Sequence, residues 1–378
     1  MRFQRLTGFL AVLALAAACT GAQPTAKPPT NPPTVAPTVA ATAAPTAAPT
    51  AAPTATPAPT PEPTASPVSF EGLTLKVAKS GDRSFDDATL GHWSDELKAK
   101  YGINVQFDVT GSPDVSLRAI VSGADDVAIT MSLTTLVNLV QQSGSDVKLI
   151  AADTAASDYQ LLSKASIADV PALAGKVHGI SAPGDASELV AHICLNKLGF
   201  DYSTLQTVQI GNTSARVAAL LAGQIDVGAA HIADALAAVG ESNGSLKILV
   251  DCGKAVGQYP VTGMVAAGSW LTAHPELAQV LVDEYVNAMR WAVADKDTYL
   301  TYAATWVPDM DPAEAGTAYD YFVDAGFWPV NGGIDDALVQ TYLGYAQETN
   351  VITGEVPATD KWVDTSYVDD YVARNGKK

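Results

Sequence analysis

Two turns between Lys176 and Ala230 carry small polar residues of the types that best suit the binding of a ligand. Residues 183–187 (PGDAS) and 211–214 (GNTS) each follow a short apolar stretch and precede a helical pattern of apolar residues. Small polar residues at such places cap helices, and the free N–H groups of the first helical turn suit the polar or anionic end of a small ligand. No nucleophile, metal cluster or phosphate-binding glycine loop accompanies the two turns. The pattern therefore predicts binding, with no catalytic residue and no cofactor.

The elements that would position these turns alternate between strand and helix. The predicted strands lie near residues 73–78, 103–109, 126–130, 148–152, 177–181, 207–210, 225–229 and 246–250. Long helices are predicted at 275–295, 298–306, 312–325 and 334–349. This order predicts an α/β fold with parallel strands. Because ligands bind beyond the carboxyl ends of such strands, the predicted walls of the site are the turns at 79–84, 131–135, 181–187 and 211–214.

The N-terminus has the features of an export signal. Arg2 and Arg5 precede an uncharged run, Leu6 to Ala18, which is shorter than the ~20 apolar residues that span a membrane. Residues 1–18 are therefore predicted to be a signal peptide. The sequence up to Cys19 resembles a bacterial lipobox, in which the cysteine becomes lipidated, although Ala16 stands where that motif more often has Leu. The alternative is an ordinary signal peptide that is cleaved nearby.

Residues 19–67 consist almost entirely of Thr, Pro and Ala and hold more than half of the chain's 23 prolines. Such a composition cannot bury a core and favours extended polyproline II, which at ~3.1 Å per residue reaches at most roughly 150 Å. A lipidated cysteine followed by a long tether predicts a protein anchored to the outer face of the cell membrane, in an extracytoplasmic location. The tether could instead cross a thick wall layer.

The remaining body of about 310 residues exceeds the usual size of a single core, which predicts two lobes. Without Arg2, Arg5, Lys27 and Glu62, this body has 19 basic and 39 acidic residues and a formal charge of −20. A strongly negative body disfavours nucleic acid and anionic lipid as partners. We expect it to be a monomer.

The three cysteines and five histidines have no metal-binding spacing, so no metal site is predicted. Cys194 and Cys252 could pair in an oxidising compartment or remain two buried thiols. Residues 240–244 (GESNG) match the G-x-S-x-G pattern of hydrolases, but they join a predicted helix to a strand, and only His274 follows them. We interpret this match as chance.

Five further stretches resemble a known family and occur in that family's order across most of residues 73–372. They read DDVAITMSLTTL, LAGKVHGISAPGDASELVAHICLNKLGFDYSTLQTVQIG, ARVAALLAGQIDVGAA, LTAHPELAQVLVDEYVNAM and VITGEVPATDKWVDTSYVDDY. Through them the chain is similar to the substrate-binding proteins of ABC importers of the nitrate, sulfonate and taurine type. That family also includes binders of thiamine pyrimidine precursors.

The resemblance implies a two-lobed type 2 periplasmic-binding-protein fold. The first lobe would comprise residues 68–156 and 261–378, and the second residues 157–260, with the two crossovers acting as a hinge. A small-molecule ligand would be trapped between the lobes on closure, and the ABC permease would recognise the closed form.

The resemblance also implies, by position, which residues face the ligand. They are Asp82, Arg83, Ser132, Thr134, Asp158, Asp185, Ala186, Ser187, Asn212, Thr213 and His231. Ser187 and Asn212 could equally be helix caps, and Arg83 a solvated surface charge. The turn after the first strand lacks the aromatic residue that many relatives have there. Because acidic residues mix with Arg83, the expected ligand is a sulfonate, a pyrimidine or an amine.

These features favour a solute-binding protein that delivers its ligand to an importer and is not an enzyme. Two other functions stay open. One is an exported enzyme such as a hydrolase, and the other is a sensory or adhesive lipoprotein that kept the binding fold without transport.

Overall fold

Two five-stranded sheets form the framework of the part of the chain that the structure describes. The structure is a computed structural model, and it describes residues 69–81, 83–110 and 112–378. The predicted signal peptide, the tether with Cys19, and Asp82 lie outside the described residues. The strands are β1 (Thr74–Ser80), β2 (Asn104–Thr110), β3 (Val127–Ser132), β4 (Val147–Ala152), β5 (Gln160–Lys164), β6 (Val177–Ile180), β7 (Gln206–Gln209), β8 (Val227–Ala230), β9 (Leu246–Asp251) and β10 (Thr262–Ala267).

Helices flank both sheets. In chain order they are α1 (Ala88–Tyr101), α2 (Pro113–Ser122), α3 (Leu133–Ser143), α4 (Ala186–Lys197), α5 (Thr213–Leu221), α6 (Ile232–Glu241), α7 (Cys252–Val256), α8 (Gly268–Ala273), α9 (Pro275–Ala294), α10 (Lys296–Trp306), α11 (Pro312–Ala325), α12 (Asp336–Glu348) and α13 (Ser366–Asn375). None of the described helices is both long and apolar enough to span a membrane.

The two sheets have the same plan. The first has the strand order β2-β1-β3-β10-β4, and the second has the order β7-β6-β8-β5-β9. The prediction of parallel strands is confirmed for β1 with β2 and β3, and for β6 with β7 and β8. Two strands that were not among those predicted, β10 and β5, run antiparallel to both of their neighbours. Each of these two strands follows a crossing from the other sheet, so no helical crossover imposes a parallel direction on it.

We call the first sheet with α1–α3, α8, α9 and α13 the first lobe, and the second sheet with α4–α7 the second lobe. Two crossing segments, residues 153–159 and 252–261, join them. The segments pair with each other: the backbone N–H of Tyr259 donates to the carbonyl of Ala155 (2.9 Å), and Ala156 forms an antiparallel bridge with Gln258. The connection between the lobes is therefore a short two-stranded ribbon.

The C-terminal helices also contact the second lobe. Helix α11 packs against α6, and α12 packs against α4. The Tyr321 hydroxyl on α11 donates to Oδ1 of Asp251 on β9 (2.6 Å), and Lys197 on α4 donates to the Tyr345 hydroxyl on α12 (2.8 Å). These contacts connect the lobes at a second place beside the ribbon.

Cys194 and Cys252 form a disulfide, with 5.3 Å between their Cα atoms. Of the two alternatives that the sequence left open, the structure therefore has the bonded one. The bond ties α4 to α7, and both cysteines are buried. Because α7 is part of the second crossing segment, the disulfide attaches that segment to the body of the second lobe.

The turn predicted at 131–135 does not exist as a turn. Met131 and Ser132 belong to β3, and α3 begins at Leu133 without an intervening loop. Thr130 has a positive φ of 53°, a backbone conformation that few residues other than glycine adopt. Its hydroxyl donates to the carbonyl of Ser80 (2.7 Å) on the neighbouring strand. A bend within β3, in place of a loop after it, therefore leads the chain into α3.

Candidate functional site

A cleft with a volume of ≈ 1470 Å³ lies between the two lobes, at the carboxyl ends of their parallel strands. Its walls include the segments after β1, β3, β6, β7 and β8, together with the α10–α11 loop. Sites for small molecules usually enclose about 300–1,000 Å³. The cleft therefore has room for its walls to approach each other around a small solute.

Most of the predicted ligand-facing residues line this cleft. They are Arg83, Ser132, Thr134, Asp158, Asp185, Ala186, Asn212, Thr213 and His231. Asp82 lies outside the described residues. Ser187 does not line the cleft: it is fully buried, and its hydroxyl donates to Oδ1 of Asp185 (2.8 Å) and accepts from the backbone N–H of Ser181 (3.2 Å). It holds the turn together from beneath.

Two helix N-termini form the wall of the second lobe, as the sequence predicts. Oδ1 of Asp185 accepts from the backbone N–H of Glu188 (3.1 Å) at the start of α4. Oδ1 of Asn212 accepts from the backbone N–H of Ala215 (2.9 Å) at the start of α5. Both residues are therefore N-caps, and each also lines the cleft. Capping fixes the orientation of the first helical turns, whose positive dipole ends favour negative charge nearby.

Arg216, which is not among the residues predicted from the sequence, lies on this wall. Its side chain is only 1% exposed and lines the cleft. Its guanidinium donates to the carbonyls of Ala229 (2.8 Å) and Gly211 (2.6 Å) and to the hydroxyls of Ser181 and Thr213. None of the described carboxylates forms an ion pair with it. A sequence signal did exist, because Arg216 interrupts an otherwise apolar stretch of α5 and shares the buried face of that helix with Ala219 and Leu220.

Asp158 and His231 form an ion pair where the chain enters the second lobe. Nδ1 of His231 lies 2.8 Å from Oδ1 of Asp158, and the two side chains are 30% and 4% exposed. Burial alone would lower the pKa of His231, but the negative charge of Asp158, with Tyr159 and Asp86, raises that pKa well above its usual value. The Tyr159 ring lies beside the imidazole, with the two ring centroids 4.5 Å apart. His231 is therefore a cation at neutral pH.

The wall of the first lobe carries two adjacent aspartates with different partners. Asp87 forms a buried ion pair with Lys79, with 2.8 Å between Oδ2 and Nζ, and both side chains are at most 3% exposed. Asp86 is half-buried in the cleft wall and forms no ion pair with a described residue. Burial, followed by the negative charge of Asp87, raises the pKa of Asp86 to about 7. Asp86 is therefore partly protonated near neutral pH.

A third carboxyl, Asp153, lies behind the cleft at the start of the first crossing segment. It is 6% exposed, and neither carboxyl oxygen has a hydrogen-bond partner among the described residues. Burial raises the pKa of Asp153 to about 7, and the charges of Asp87 and Asp86 act in the same direction. The Asp153 carboxyl therefore keeps its proton up to near-neutral pH.

Arg83 and Phe85 also belong to the first-lobe wall. The guanidinium of exposed Arg83 stacks on the indole of Trp306, with Cζ 4.2 Å from the ring centroid. Arg83 is thus more than a solvated charge, because the stacking holds it at the cleft. Phe85 lines the cleft directly after the first turn. An aromatic residue therefore does follow β1, directly after the turn at residues 79–84, which itself has none.

Ser132 and Thr134 complete this wall. Ser132 ends β3 and precedes α3, and both residues line the cleft. The Thr134 hydroxyl accepts a hydrogen bond from the Tyr342 hydroxyl (3.0 Å) on α12. Its own proton is then available for a ligand.

The described residues contain no cluster for a metal ion, and the serine of the G-x-S-x-G match does not line the cleft. Among the described residues, no group of three or more His, Cys, Asp or Glu could hold a metal ion. Ser242 of the G-x-S-x-G match directly follows α6, and its hydroxyl donates to the carbonyl of Val239 (2.8 Å). Its environment is thus the end of a helix and not the strand-to-helix turn that a hydrolase nucleophile requires.

Comparison with known proteins identifies the family. A family model described as NMT1/THI5 like matches residues 99–298, and the chain belongs to this family. The family resemblance seen in the sequence is thereby confirmed. No curated protein sequence matches the chain.

Solved structures with low sequence identity share the fold. The ligand-binding component of an ABC-type import system from Staphylococcus aureus, solved with zinc bound, has a TM-score of 0.66 and 15% identity, over 79% of this chain and 99% of that one. The alkanesulfonate-binding protein SsuA from Xanthomonas axonopodis pv. citri, bound to MOPS, has a TM-score of 0.61 and 16% identity, over 78% and 100%. The desulfurization enzyme DSZB has a TM-score of 0.55 and 15% identity, over 80% and 99%. The fold is the predicted two-lobed periplasmic-binding-protein fold.

Proposed function

We propose that this chain is an extracytoplasmic solute-binding protein, anchored by a lipid on Cys19, that captures a small organic solute between its lobes and delivers it to an ABC importer. One observation carries the proposal: polar side chains from both lobes face each other across a cleft. Family membership and the fold shared with an import-system component support it. In this proposal residues 68–156 and 261–378 form one domain and residues 157–260 the other.

The connection between the lobes supports capture by closure. The paired crossing segments form a ribbon that can bend, while the disulfide between Cys194 and Cys252 keeps the second segment attached to its lobe. Closing the cleft would remove the solute from water and strengthen its polar contacts with both walls. A permease that recognises the closed form would then discriminate loaded from empty protein.

The charge state of His231 supports binding over catalysis. A histidine paired with an aspartate is the arrangement of a general base, but a base must be neutral at the working pH. Asp158 raises the pKa of His231 well above its usual value, so the imidazole is already protonated and acts as a hydrogen-bond donor. Within the described part of the chain, both cysteines are bonded to each other and supply no thiol nucleophile.

A thermal-shift screen tests solute binding. The protein is heated with sulfonates, pyrimidines and amines, one compound at a time. A solute at 100 times its Kd stabilises the folded state by ~2.7 kcal/mol, which raises Tm measurably. The Thr134→Val variant, which lacks one hydroxyl of the cleft wall, is heated with the same compounds, so that binding at the cleft can be distinguished from binding elsewhere. A panel without any shift in wild-type Tm would count against the proposal.

The lipid anchor has a separate test. Mass spectrometry of the mature N-terminus should find a diacylglyceryl group on Cys19, and Cys19→Ser should release the protein from the membrane fraction. An unmodified residue at this position contradicts the anchor but leaves solute binding intact.

A further inference from the structure

The turn after α6, within residues 240–244, contains one of the three Asn-Gly sequences of this chain. The other two are Asn331-Gly332 and Asn375-Gly376. An asparagine that precedes a glycine can react with its own backbone, because glycine has no side chain to obstruct the approach of its amide nitrogen to the asparagine side chain. The hydrogen bonds of each turn decide whether this approach is possible in the folded protein.

The peptide group between Asn243 and Gly244 is exposed and is not tied to the rest of the fold. Both residues are exposed, with φ angles of 51° and 81°. The hydrogen bond that closes the turn runs from the backbone N–H of Ser245 to the carbonyl of Ser242 (3.0 Å) and leaves Gly244 out. The Gly244 N–H donates to none of the described residues. Its nitrogen can therefore move without losing a hydrogen bond within the protein.

The side chain of Asn243 is held only weakly. Its Nδ2 lies 3.5 Å from the carbonyl of Glu241, at the long limit of a hydrogen bond, and its Oδ1 accepts from none of the described residues. Asn243 is also one of three described residues other than glycine that have a positive φ, a conformation that disfavours residues with a side chain. Rotation of the amide toward Gly244 therefore breaks no strong contact.

The Asn331-Gly332 sequence is held on both sides of the reacting bond. The Gly332 N–H donates to the carbonyl of Pro329 (2.8 Å). The Asn331 amide donates to the carbonyl of Lys378 (2.8 Å) and accepts from the N–H of the same residue (2.9 Å). These hydrogen bonds must break before the nitrogen can reach the side chain.

The Asn375-Gly376 sequence at the end of α13 is held in the same way. The Gly376 N–H donates to the carbonyl of Val372 (2.8 Å), and Nδ2 of Asn375 donates to the carbonyl of Tyr371 (3.0 Å). Of the three sequences, only Asn243-Gly244 therefore has both reacting groups free in the described structure.

We propose that Asn243 is a site of spontaneous deamidation, at which the folded protein converts this asparagine to an aspartate or an isoaspartate. The Gly244 nitrogen forms a bond with Cγ of Asn243, the bond from Cγ to Nδ2 breaks, and the proton of the Gly244 N–H leaves with the ammonia that departs. Water then opens the cyclic succinimide at either of its carbonyl carbons. Water is the only co-reactant, and no electrons are transferred. The proposal does not depend on the proposed function.

The modification places a new negative charge at the C-terminal end of α6, where the helix dipole disfavours an anion. Acids already lie at this end. Glu241 is in the last turn of α6 and lines the cleft, and burial, followed by the charges of Asp311 and Glu241, raises the pKa of Glu314 on α11. Deamidation therefore changes the charge of a helix that forms part of one wall of the cleft.

Incubation of the full mature protein in heavy-oxygen water tests the site. Opening of the succinimide puts a solvent oxygen into the new carboxylate, so peptide mass spectrometry after digestion in ordinary water counts only the conversions that occurred during the incubation. Label at Asn243 should accumulate about tenfold or more faster than at Asn331 or Asn375, because breaking their hydrogen bonds adds to the barrier. It should also accumulate faster at pH 8 than at pH 7, since the attacking nitrogen must lose its proton.

Two controls connect the rate with the structure. Asn350 is exposed and has a positive φ of 58°, but Val351 follows it, so its peptide should remain unlabelled. In denaturant the hydrogen bonds of Asn331 and Asn375 are lost, and both should approach the rate of Asn243. The Asn243→Gln variant, whose side chain is one carbon longer, should show no label at this position and unchanged labelling at the other two sites.

Each outcome bears on the inference without touching solute binding. Label at Asn243 that accumulates no faster than at Asn331 or Asn375 in the folded protein overturns it. Label at Asn350 that accumulates as fast as at Asn243 overturns it as well, because the following glycine would then not be the cause. A preference for Asn243 that disappears when the protein is unfolded supports it.

Discussion

Nδ1 of His231 lies 2.8 Å from Oδ1 of Asp158, and the backbone N–H of Ile232 donates to the other carboxylate oxygen (3.3 Å). One carboxylate at the end of the first crossing segment therefore holds both the imidazole and the N-terminus of α6. Asp158 therefore raises the pKa of His231 and also fixes the position of α6 in one wall of the cleft. Substitutions in this pair therefore test both the charge of His231 and the placement of α6.

The first prediction concerns the pH dependence of stability that His231 confers. The pKa of His231 is raised on folding, so its contribution to stability is fully present below the unfolded value of about 6.5 and is lost as pH rises through the folded value. Wild type should therefore exceed His231→Gln in Tm by the largest margin near pH 6. The margin should shrink toward pH 9. Thermal unfolding of both proteins across this range measures it, and a margin that grows with pH contradicts the charged pair.

The second prediction concerns Asp153, whose pKa burial raises to about 7. The unfolded chain loses the Asp153 proton at its ordinary pKa of about 3.9, whereas the folded protein keeps it up to a higher pH. The contribution of this carboxyl to the free energy of unfolding is therefore fully present below about pH 3.9 and is lost as pH rises toward 7. The isosteric Asp153→Asn cannot ionise and should be more stable than wild type at pH 8, by on the order of 1–4 kcal/mol. Its advantage should be small at pH 4.5. Chemical unfolding at the two pH values tests this, and wild type being the more stable at pH 8 would exclude it.

The third prediction concerns the buried pair of Lys79 and Asp87. Removing the cation alone leaves a carboxylate that is 3% exposed without its charged partner. Lys79→Met should therefore destabilise the protein by about 3–5 kcal/mol. The double variant Lys79→Met/Asp87→Asn should recover part of this loss, since it removes the stranded charge. The ion-pair account is wrong if the double variant is as unstable as the sum of the two single variants.

The fourth prediction concerns the disulfide. The bond between Cys194 and Cys252 spans 58 residues of chain, and a crosslink of that length restricts the unfolded state by roughly 4 kcal/mol. Replacing both cysteines with Ala should lower Tm by several degrees. Solute affinity should change little, because both cysteines are buried and neither lines the cleft. A large loss of affinity at unchanged Tm would mean that the bond acts on the site itself.

Local signals predicted much of the framework. Helix α11 has its predicted bounds, because caps and apolar spacing are properties of neighbouring residues. The two turns that hold the caps Asp185 and Asn212 were identified for the same reason. The directions of β5 and β10 were not, since they depend on where the chain returns after leaving a lobe.

Which charged residues of the site are buried and which are paired also depends on tertiary structure, as the directions of β5 and β10 do. Arg216 looks like one polar residue in an apolar helix, and only the packing of α5 against β8 shows that it is buried beside a cleft. Asp86 and Asp87 are adjacent in sequence and look equivalent. Their difference arises because Lys79 from β1 reaches Asp87 and not Asp86. Pairing across elements of the fold therefore decides which charges are available to a ligand.

Native mass spectrometry of the protein purified from its own cells tests the central claim most directly. Capture between two lobes predicts one small organic solute retained per protein molecule. Protein carrying Arg216→Lys, prepared in the same way, should retain much less. A wild-type protein that carries no solute, and that gains none after incubation with the small-molecule extract of those cells, would contradict the account.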